Sequence, residues 1–486
     1  MIKSITRYFQ KPFVLLSLMA IVFTVYFTFV AFSRHDNFYS RRLDLGNMDQ
    51  TVWNVLHGNG FTLTDPMGNN QESRLAVHAD FLLILLAPFY LIWSNPKMLI
   101  LIQNIVTALA IFPIYWIAYD RLKSKKIALL FALIFLMYPP SERKMLHDFH
   151  AVSLSTTFML LTYWFLHKKK YVYFVLFGIL AALGKEQIWV TIGLMGVFIA
   201  FFQKKYALGA LVAMASFSMF YFLFWQAIPA VTPAKQHFAL VYLSEFGESQ
   251  NGIIMNILFH PLTVLRTITL PDRLYYYFQL LFPVGFLSVL SPLYFLFCLP
   301  SLAINTLSNN GLMRQIDYQY NSTVTPFTFI AAIEGYIVLT AMWQRLRKKK
   351  IIDFPPVVIA GWMVMCIVIC SLLWGELPFG SSSRIWFFTT PLPEKKVMEQ
   401  VSHGIDSRYT VSATNNIGAH FSQRQFLYNF PINAETADYS IIYLGDPYAW
   451  PSGDDQKAAV ERLSQNSNYE KIAAVGSFYA FKKKGI

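Results

Sequence analysis

The sequence predicts an all-α polytopic membrane domain followed by a small external α/β domain. Three observations carry that expectation. Of 486 residues, 55% are hydrophobic and only 14% are charged, against roughly 25% charged in soluble proteins. The mean hydropathy is +0.41. Long apolar runs recur between residues 12 and 374 and then stop. Such a chain is neither disordered, collagen-like nor a disulfide scaffold. Its three cysteines, Cys298, Cys366 and Cys370, lie inside apolar runs and read as small hydrophobes.

A membrane helix needs about 20 apolar residues. Candidate spans lie near 12–33, 97–119, 127–140, 151–166, 171–183, 188–202, 206–228, 275–290, 292–309, 323–343 and 355–374, with a further apolar run at 77–94. That gives about 11–13 transmembrane or re-entrant helices. The first run follows Lys3, Arg7 and Lys11 without a small-residue cleavage site, so it reads as an anchor.

Lysine and arginine in short loops set the orientation. The basic clusters are Lys3/Arg7/Lys11, Arg121/Lys123/Lys125/Lys126, Lys168/Lys169/Lys170, Lys204/Lys205 and Arg345/Arg347/Lys348/Lys349/Lys350, opposed only by Asp120 and Asp353. Placing all five in the cytoplasm requires about 11 crossings, with the N-terminus inside and the C-terminus outside the cell membrane. The run 77–94 is then re-entrant or lies along the outer interface. The alternative is that the 121–126 cluster faces outward. On this reading the net charge of +13 is a topology signal, and no nucleic-acid partner is expected; the bilayer is.

The expected domains are therefore 1–374, with a long first external loop at 34–76, and 375–486. The second alternates strand-like runs, Tyr409–Ala413, Tyr439–Leu444 and Ser477–Lys482, with helical stretches near 394–404 and 455–464.

Nearly all the polar residues of interest fall in external segments. The first loop opens with "LDLGNMDQTVWNVLHGNGF". Leu45, Met48, Val52 and Leu56 recur at helical spacing, which predicts an amphipathic helix on the membrane surface. Asp49, Trp53 and His57 form a second stripe, and Gly58 and Gly60 end the helix. Asp44, at its start, reads either as an N-cap or as a general base for a substrate hydroxyl. In "SRLAVHADF", Arg74, His78 and Asp80 sit at the interface, where ionisable groups are usually paired or functional. In "PPSERKMLHDFHAVS", His147 and His150 would share a face of one helical turn, with Asp148 between them. These two histidines, Asp148, His78 and Asp80 are the right ligand types for a divalent metal ion; an ordinary polar network is the alternative. Lys185 and Glu186 in "GKEQ" read as a snorkelling pair or as a lipid-phosphate contact. Arg266, Arg273 and Arg314, the last of them before a span, also fall in external segments, and any one of the three is suited to bidentate phosphate recognition.

The strings "LDLGNMDQTVWNVLHGNGF", "SRLAVHADFLLILLAPFYLIW", "HDFHAVSLS", "GKEQ", "DYQYNSTVTPFTFIAAIEG" and "VSATNNIGAHFSQRQFLYNFP…ADYSIIYLGDP" resemble the bacterial membrane-protein family of unknown function numbered 2079 (DUF2079), in the family's order, from about residue 43 to 446. That family looks like a branch of the GT-C glycosyltransferase superfamily, which includes protein mannosyltransferases and lipid A aminoarabinose transferases. The resemblance implies a GT-C-like membrane domain, a polyprenyl-phosphate sugar as donor, and a catalytic carboxylate in the first external loop. Asp44 carries that role best and Asp49 less well, because superfamily members often have adjacent acids and these two are five apart. From residue type and position, the expected phosphate-contacting residues are Arg74, Lys185, Glu186 and Arg314. The implied activity is inverting sugar transfer to an acceptor on the outer face; a lipid-linked transporter or flippase and a non-catalytic scaffold are the alternatives.

Overall fold

The computed structural model describes residues 2–232, 235–348, 356–446 and 449–486. The side chains of Lys3, Arg7, Lys11 and Lys348, and the whole of Lys349, Lys350 and Asp353, lie outside what is described. The chain forms two compact units. The first comprises Met1–Phe27, Asn104–His147 and Ala151–Arg384; the second comprises Thr28–Gln103, Asp148–His150 and Ile385–Ile486. The first external loop, expected to belong with the membrane helices, thus falls in the same unit as the C-terminal residues.

Five helices among the described residues are long and apolar enough to cross a membrane: Pro12–Asp36, Lys97–Leu122, Tyr206–Val231, Thr325–Arg347 and Val357–Trp374. The second is interrupted at Ala110, because Pro113 has no N–H to offer the carbonyl four residues back. Lys125–Leu136, Ala151–His167, Tyr171–Ala182 and Ile188–Phe202 are helices where the sequence predicts them, but shorter. The expected spans at 275–290 and 292–309 are not continuous helices. Pro283, Pro292 and Pro300 break them into a helix at Pro271–Leu281, 3-10 turns and a helix at Leu299–Leu307. The run 77–94 yields only a short helix at Leu82–Leu86 and a 3-10 stretch at Ala87–Leu91. Ten helical residues rise roughly 15 Å, half of a bilayer core of about 30 Å.

In the first unit the core gathers around Thr325–Lys348, where Phe327, Phe329, Ile330 and Ile333 are wholly buried. Ile188–Phe202 and Tyr206–Tyr221 approach backbone to backbone. A Cβ on Gly209 would stand 2.4 Å from Ala200 N, and one on Gly196 2.6 Å from Ala213 N. Close approach through small residues is how membrane helices gain dispersion contacts without a hydrophobic driving force.

The same unit brings basic clusters together. Asp120 accepts from His167 (2.7 Å) and pairs with Lys168 (2.9 Å) and Lys123. Gln203 donates to Leu166 O (3.1 Å) and accepts from the Tyr171 hydroxyl (2.8 Å). The clusters at 121–126, 168–170 and 204–205 therefore meet at one end of the bundle. That end is closed by Arg121, bidentate to Glu334.

The second unit is built on a five-stranded sheet. Its strands, numbered after a small antiparallel pair in the first loop (β1, Thr62–Thr64; β2, Gln71–Ser73), are β3 (Val411–Ala413), β4 (Leu427–Asn429), β5 (Tyr439–Tyr443), β6 (Tyr469–Val475) and β7 (Phe478–Lys483). Their order is β4-β3-β5-β7-β6, with β4, β3 and β5 parallel and β7 antiparallel to both its neighbours. One sheet face packs Val411, Ile441 and Phe478 against Met398 of the helix Lys395–Gly404 and against Phe38. The other packs Ile442 and Phe481 against Ala459, Val460 and Leu463 of the helix Gly453–Gln465. Ser452 caps that helix, accepting from Asp455 N at 3.1 Å.

Candidate functional site

In the second unit the residues Arg42–Gly46 form one turn of π-helix that runs directly into the helix Asn47–Leu56. Asp44 is on this turn, and its side chain keeps 28% of its exposure. Its Oδ1 lies 3.3 Å from His150 Nε2. The other ring nitrogen of His150 is 3.0 Å from the Asp148 carbonyl, and its backbone N–H donates to Gln103 Oε1 at 3.0 Å. With Nδ1–H directed at a carbonyl, Nε2 meets Asp44 as a donor only when the ring is an imidazolium. Asp44 is thus an accessible carboxylate beside a base that can share its proton.

Asp49 is different. It is fully buried and accepts from the hydroxyls of Tyr90 and Ser422 (2.6 Å) and from Gln423 Nε2 (3.1 Å). Burial raises its pKa to about 6, although those three hydrogen bonds pull the other way. The helix that carries it is not laid on a surface: Asn47, Met48, Asp49, Gln50 and Thr51 are all buried. Gln50 donates to the carbonyls of Arg424 (3.0 Å) and Gln425 (3.1 Å). Only the distal end is open, where His57 stacks on Trp53 at 4.0 Å between centroids.

The metal-type residues do not assemble as expected. The helix Pro139–Leu146 ends before the "HDFH" string, so His147 and His150 do not share a helical face. Asp148 is locked in a bidentate pair with Arg34 and accepts from Arg41 N at 3.0 Å. Asp80 is held by Arg74 through Nε (3.0 Å) and Nη2 (2.6 Å). His78 donates its backbone N–H to Arg74 O, and His147 meets the ring of Tyr318 edge-on at 5.1 Å. Among the described residues no three His, Cys, Asp or Glu side chains converge to hold a metal ion. Arg74, expected at a phosphate, is only 1% exposed and belongs to the Asp80 pair.

The first unit contains a cavity of about 480 Å³ whose lining includes Arg143, Asp272, Tyr275, Arg314, Asp317 and Trp374. Asp272 accepts from both Arg314 Nε (2.7 Å) and Arg273 Nη1 (2.8 Å). Burial alone would raise its carboxyl; the two guanidiniums outweigh that and hold it below the usual carboxylate range. Asp317 is shared by Arg143 and Arg384. Behind them Glu376 is wholly buried against Arg384 (2.7 Å), and its backbone N–H donates to the equally buried Glu142 at 2.7 Å. Burial pushes Glu142 up to about 8, whereas the same effect brings Lys144, bonded to the Thr156 hydroxyl at 3.0 Å, down to about 7. Lys185 sits 5.6 Å from the Tyr320 ring centre, and Glu186 lies 3.3 Å from His237.

Of the sequence candidates, the structure brings Asp44 and His150 together and places Arg314 on the cavity. The sequence reading missed Glu142, Arg143, Asp272, Asp317, Glu376 and Arg384. The string "SERK", directly after an apolar run, was the available signal, since ionisable groups at that depth are rarely idle.

The DUF2079 family, described as predicted membrane proteins, matches residues 34–475. No curated protein matches the chain. Two solved structures that resemble it are of ArnT, a GT-C glycosyltransferase from Cupriavidus metallidurans. The form bound to undecaprenyl phosphate aligns with a TM-score of 0.52 at 10% identity, covering 96% of this chain and 97% of that one. The apo form gives 0.50 at 11%, with the same coverage. At these identities the likeness establishes the fold, which is GT-C.

Proposed function

This chain belongs to the DUF2079 family and has a GT-C fold, and we propose that it transfers a sugar from a polyprenyl-phosphate donor to an acceptor hydroxyl at the outer face of the cell membrane. The observation that carries the reading is the accessible Asp44 carboxylate on a turn fixed by its neighbours, with His150 at 3.3 Å. In this mechanism Asp44 accepts the proton of the acceptor hydroxyl as its oxygen attacks the anomeric carbon. The bond from that carbon to the phosphate oxygen breaks on the opposite side, so configuration inverts. The electron pair leaves on the lipid phosphate. His150 beside Asp44 offers a second place for the proton. Neutralising the departing phosphate needs positive groups.

The sidedness rests on the basic loops that meet at one end of the bundle, which the positive-inside rule assigns to the cytoplasm. Lys125–Leu136 starts at that end, so Glu142 and Arg143 beyond it belong to the opposite, outer end.

The test supplies labelled polyprenyl-phosphate sugars to membranes holding the native chain or Asp44→Asn. Label leaving the lipid only with the native chain supports the transferase. Label that changes leaflet without leaving the lipid, equally in both, supports a flippase instead.

A further inference from the structure

The two amides that precede Asp44 are held by a residue from the far end of the chain. At the start of a helix the leading backbone N–H groups have no partner within the helix and are normally met by a nearby side chain. Here Arg42 N donates to Asn415 O at 2.8 Å, and Leu43 N donates to Asn415 Oδ1 at 2.9 Å. One residue therefore fixes both amides that precede Asp44. Asn415 is 6% exposed and lies two residues beyond β3, past the carboxyl end of a parallel strand. In α/β sheets that end is where ligands are usually held.

The guanidinium of Arg42, itself wholly buried, adds a second grip by donating to Leu427 O at 2.6 Å and to Thr64 O at 3.3 Å. The contact surface is shaped for this turn. A Cβ on Gly418 would stand 2.6 Å from Arg42 Cβ, so only glycine admits the turn at that distance. His420, two residues on, lies between the rings of His35 (4.1 Å) and Phe38 (3.9 Å) and is 2.9 Å from His35 O. The segment 415–420 thus grips the chain on both sides of Arg41.

We propose that the C-terminal α/β domain is a clamp for the catalytic turn, and that Asn415 is a positioning residue which aims Asp44 at the acceptor. The proposal rests on the reading of Asp44 as the base. A base misplaced by about 1 Å loses on the order of 100-fold in rate, so a turn hung on two amide hydrogen bonds is rate-determining in its geometry. Asn415→Asp keeps the Oδ1 acceptor at the same reach, whereas Asn415→Ala removes it.

The experiment compares the native chain, Asn415→Ala, Asn415→Asp and Gly418→Ala in lipid nanodiscs, by amide hydrogen exchange and by transfer from a labelled polyprenyl-phosphate sugar. Asn415→Ala and Gly418→Ala are expected to speed exchange at residues 42–46 by about 10-fold or more, with the strands β5 and β7 unaffected. The same two variants lower kcat by about 10- to 100-fold while KM for the lipid donor stays within about 3-fold. Asn415→Asp restores both. Unchanged exchange at 42–46 in Asn415→Ala overturns the clamp, as does faster exchange spread over 439–483 in both variants. Native kcat in Asn415→Ala, alongside abolished transfer in Asp44→Asn, overturns the positioning role alone. Transfer that survives Asp44→Asn instead defeats the reading of the base, and the exchange data still decide the clamp.

Discussion

The π-turn Arg42–Gly46 and the helix Asn47–Leu56 are consecutive in the chain, each carries one aspartate, and the two carboxylates live in opposite conditions. Asp44 keeps solvent access and a titratable partner, His150. Asp49 has three donors around it and no solvent. Both lie in the second unit and both rest on C-terminal residues. For Asp49 the contact is made by its own carboxylate, to Ser422 and Gln423; for the turn of Asp44 it is made by the backbone of Arg42 and Leu43, through Asn415. A buried carboxylate that accepts three hydrogen bonds holds structure together, whereas one that keeps solvent access beside an imidazole can exchange a proton.

The comparison is open to several tests, from the largest expected effect to the smallest. Asp44→Asn should cost about 100- to 10,000-fold in transfer, the usual weight of a general base, with no shift in unfolding midpoint. A lowered midpoint would put Asp44 in the structural class with Asp49. Arg74→Met leaves Asp80 buried without its cation, and breaking such a pair costs about 3–5 kcal/mol. Thermal unfolding in detergent reads this; a loss below about 1 kcal/mol would mean that water reaches the pair.

Asp49→Asn replaces an acceptor that meets three donors with a group half of which is itself a donor. It should lower stability by about 1–3 kcal/mol at pH 7. The same variant sharpens the pH dependence. Burial holds the Asp49 carboxyl at about 6 when folded, against 3.8 as its ordinary value. A carboxyl raised in this way makes its full contribution below the lower value and loses it as pH rises through the upper one. The native chain should therefore gain stability relative to Asp49→Asn between pH 7 and pH 4, and a flat difference would show Asp49 ionised throughout. At the small end, His57→Ala removes an exposed stack on Trp53 and should move the midpoint by no more than about 1 °C.

Much of this molecule is legible in its residues, and the parts that are not have physical causes. Composition identifies the five long apolar helices, because runs of that length suit a membrane, but not the breaks at Pro283, Pro292 and Pro300 in the expected spans 275–290 and 292–309. Asp44 stands out since it opens a helix in a loop otherwise read as interfacial. The sheet is legible where strands are buried on both faces, as in β5, and not where they are short or at an edge: β4 has three residues, and most of β6 is exposed. The pair His147 and His150 misleads because H-x-x-H is informative only on a helix, and this helix ends at Leu146. Asn415 could not be found in the sequence at all. Its partner Leu43 is 372 positions away, and a backbone amide contact leaves no mark on residue type at the donor. Arg143 and Glu142 were legible in principle, since charges next to an apolar run must find partners, but the partners Asp317 and Glu376 come from distant loops.

The most direct measurement of the central claim is single-turnover release of lipid phosphate from a labelled polyprenyl-phosphate sugar, made side by side on the native chain, Asp44→Asn and Asp49→Asn at a temperature where all three are folded. The account predicts that the Asp44→Asn rate falls by about 100-fold or more while Asp49→Asn stays within about 10-fold of native. Equal loss in both variants, or a greater loss in Asp49→Asn, would contradict it.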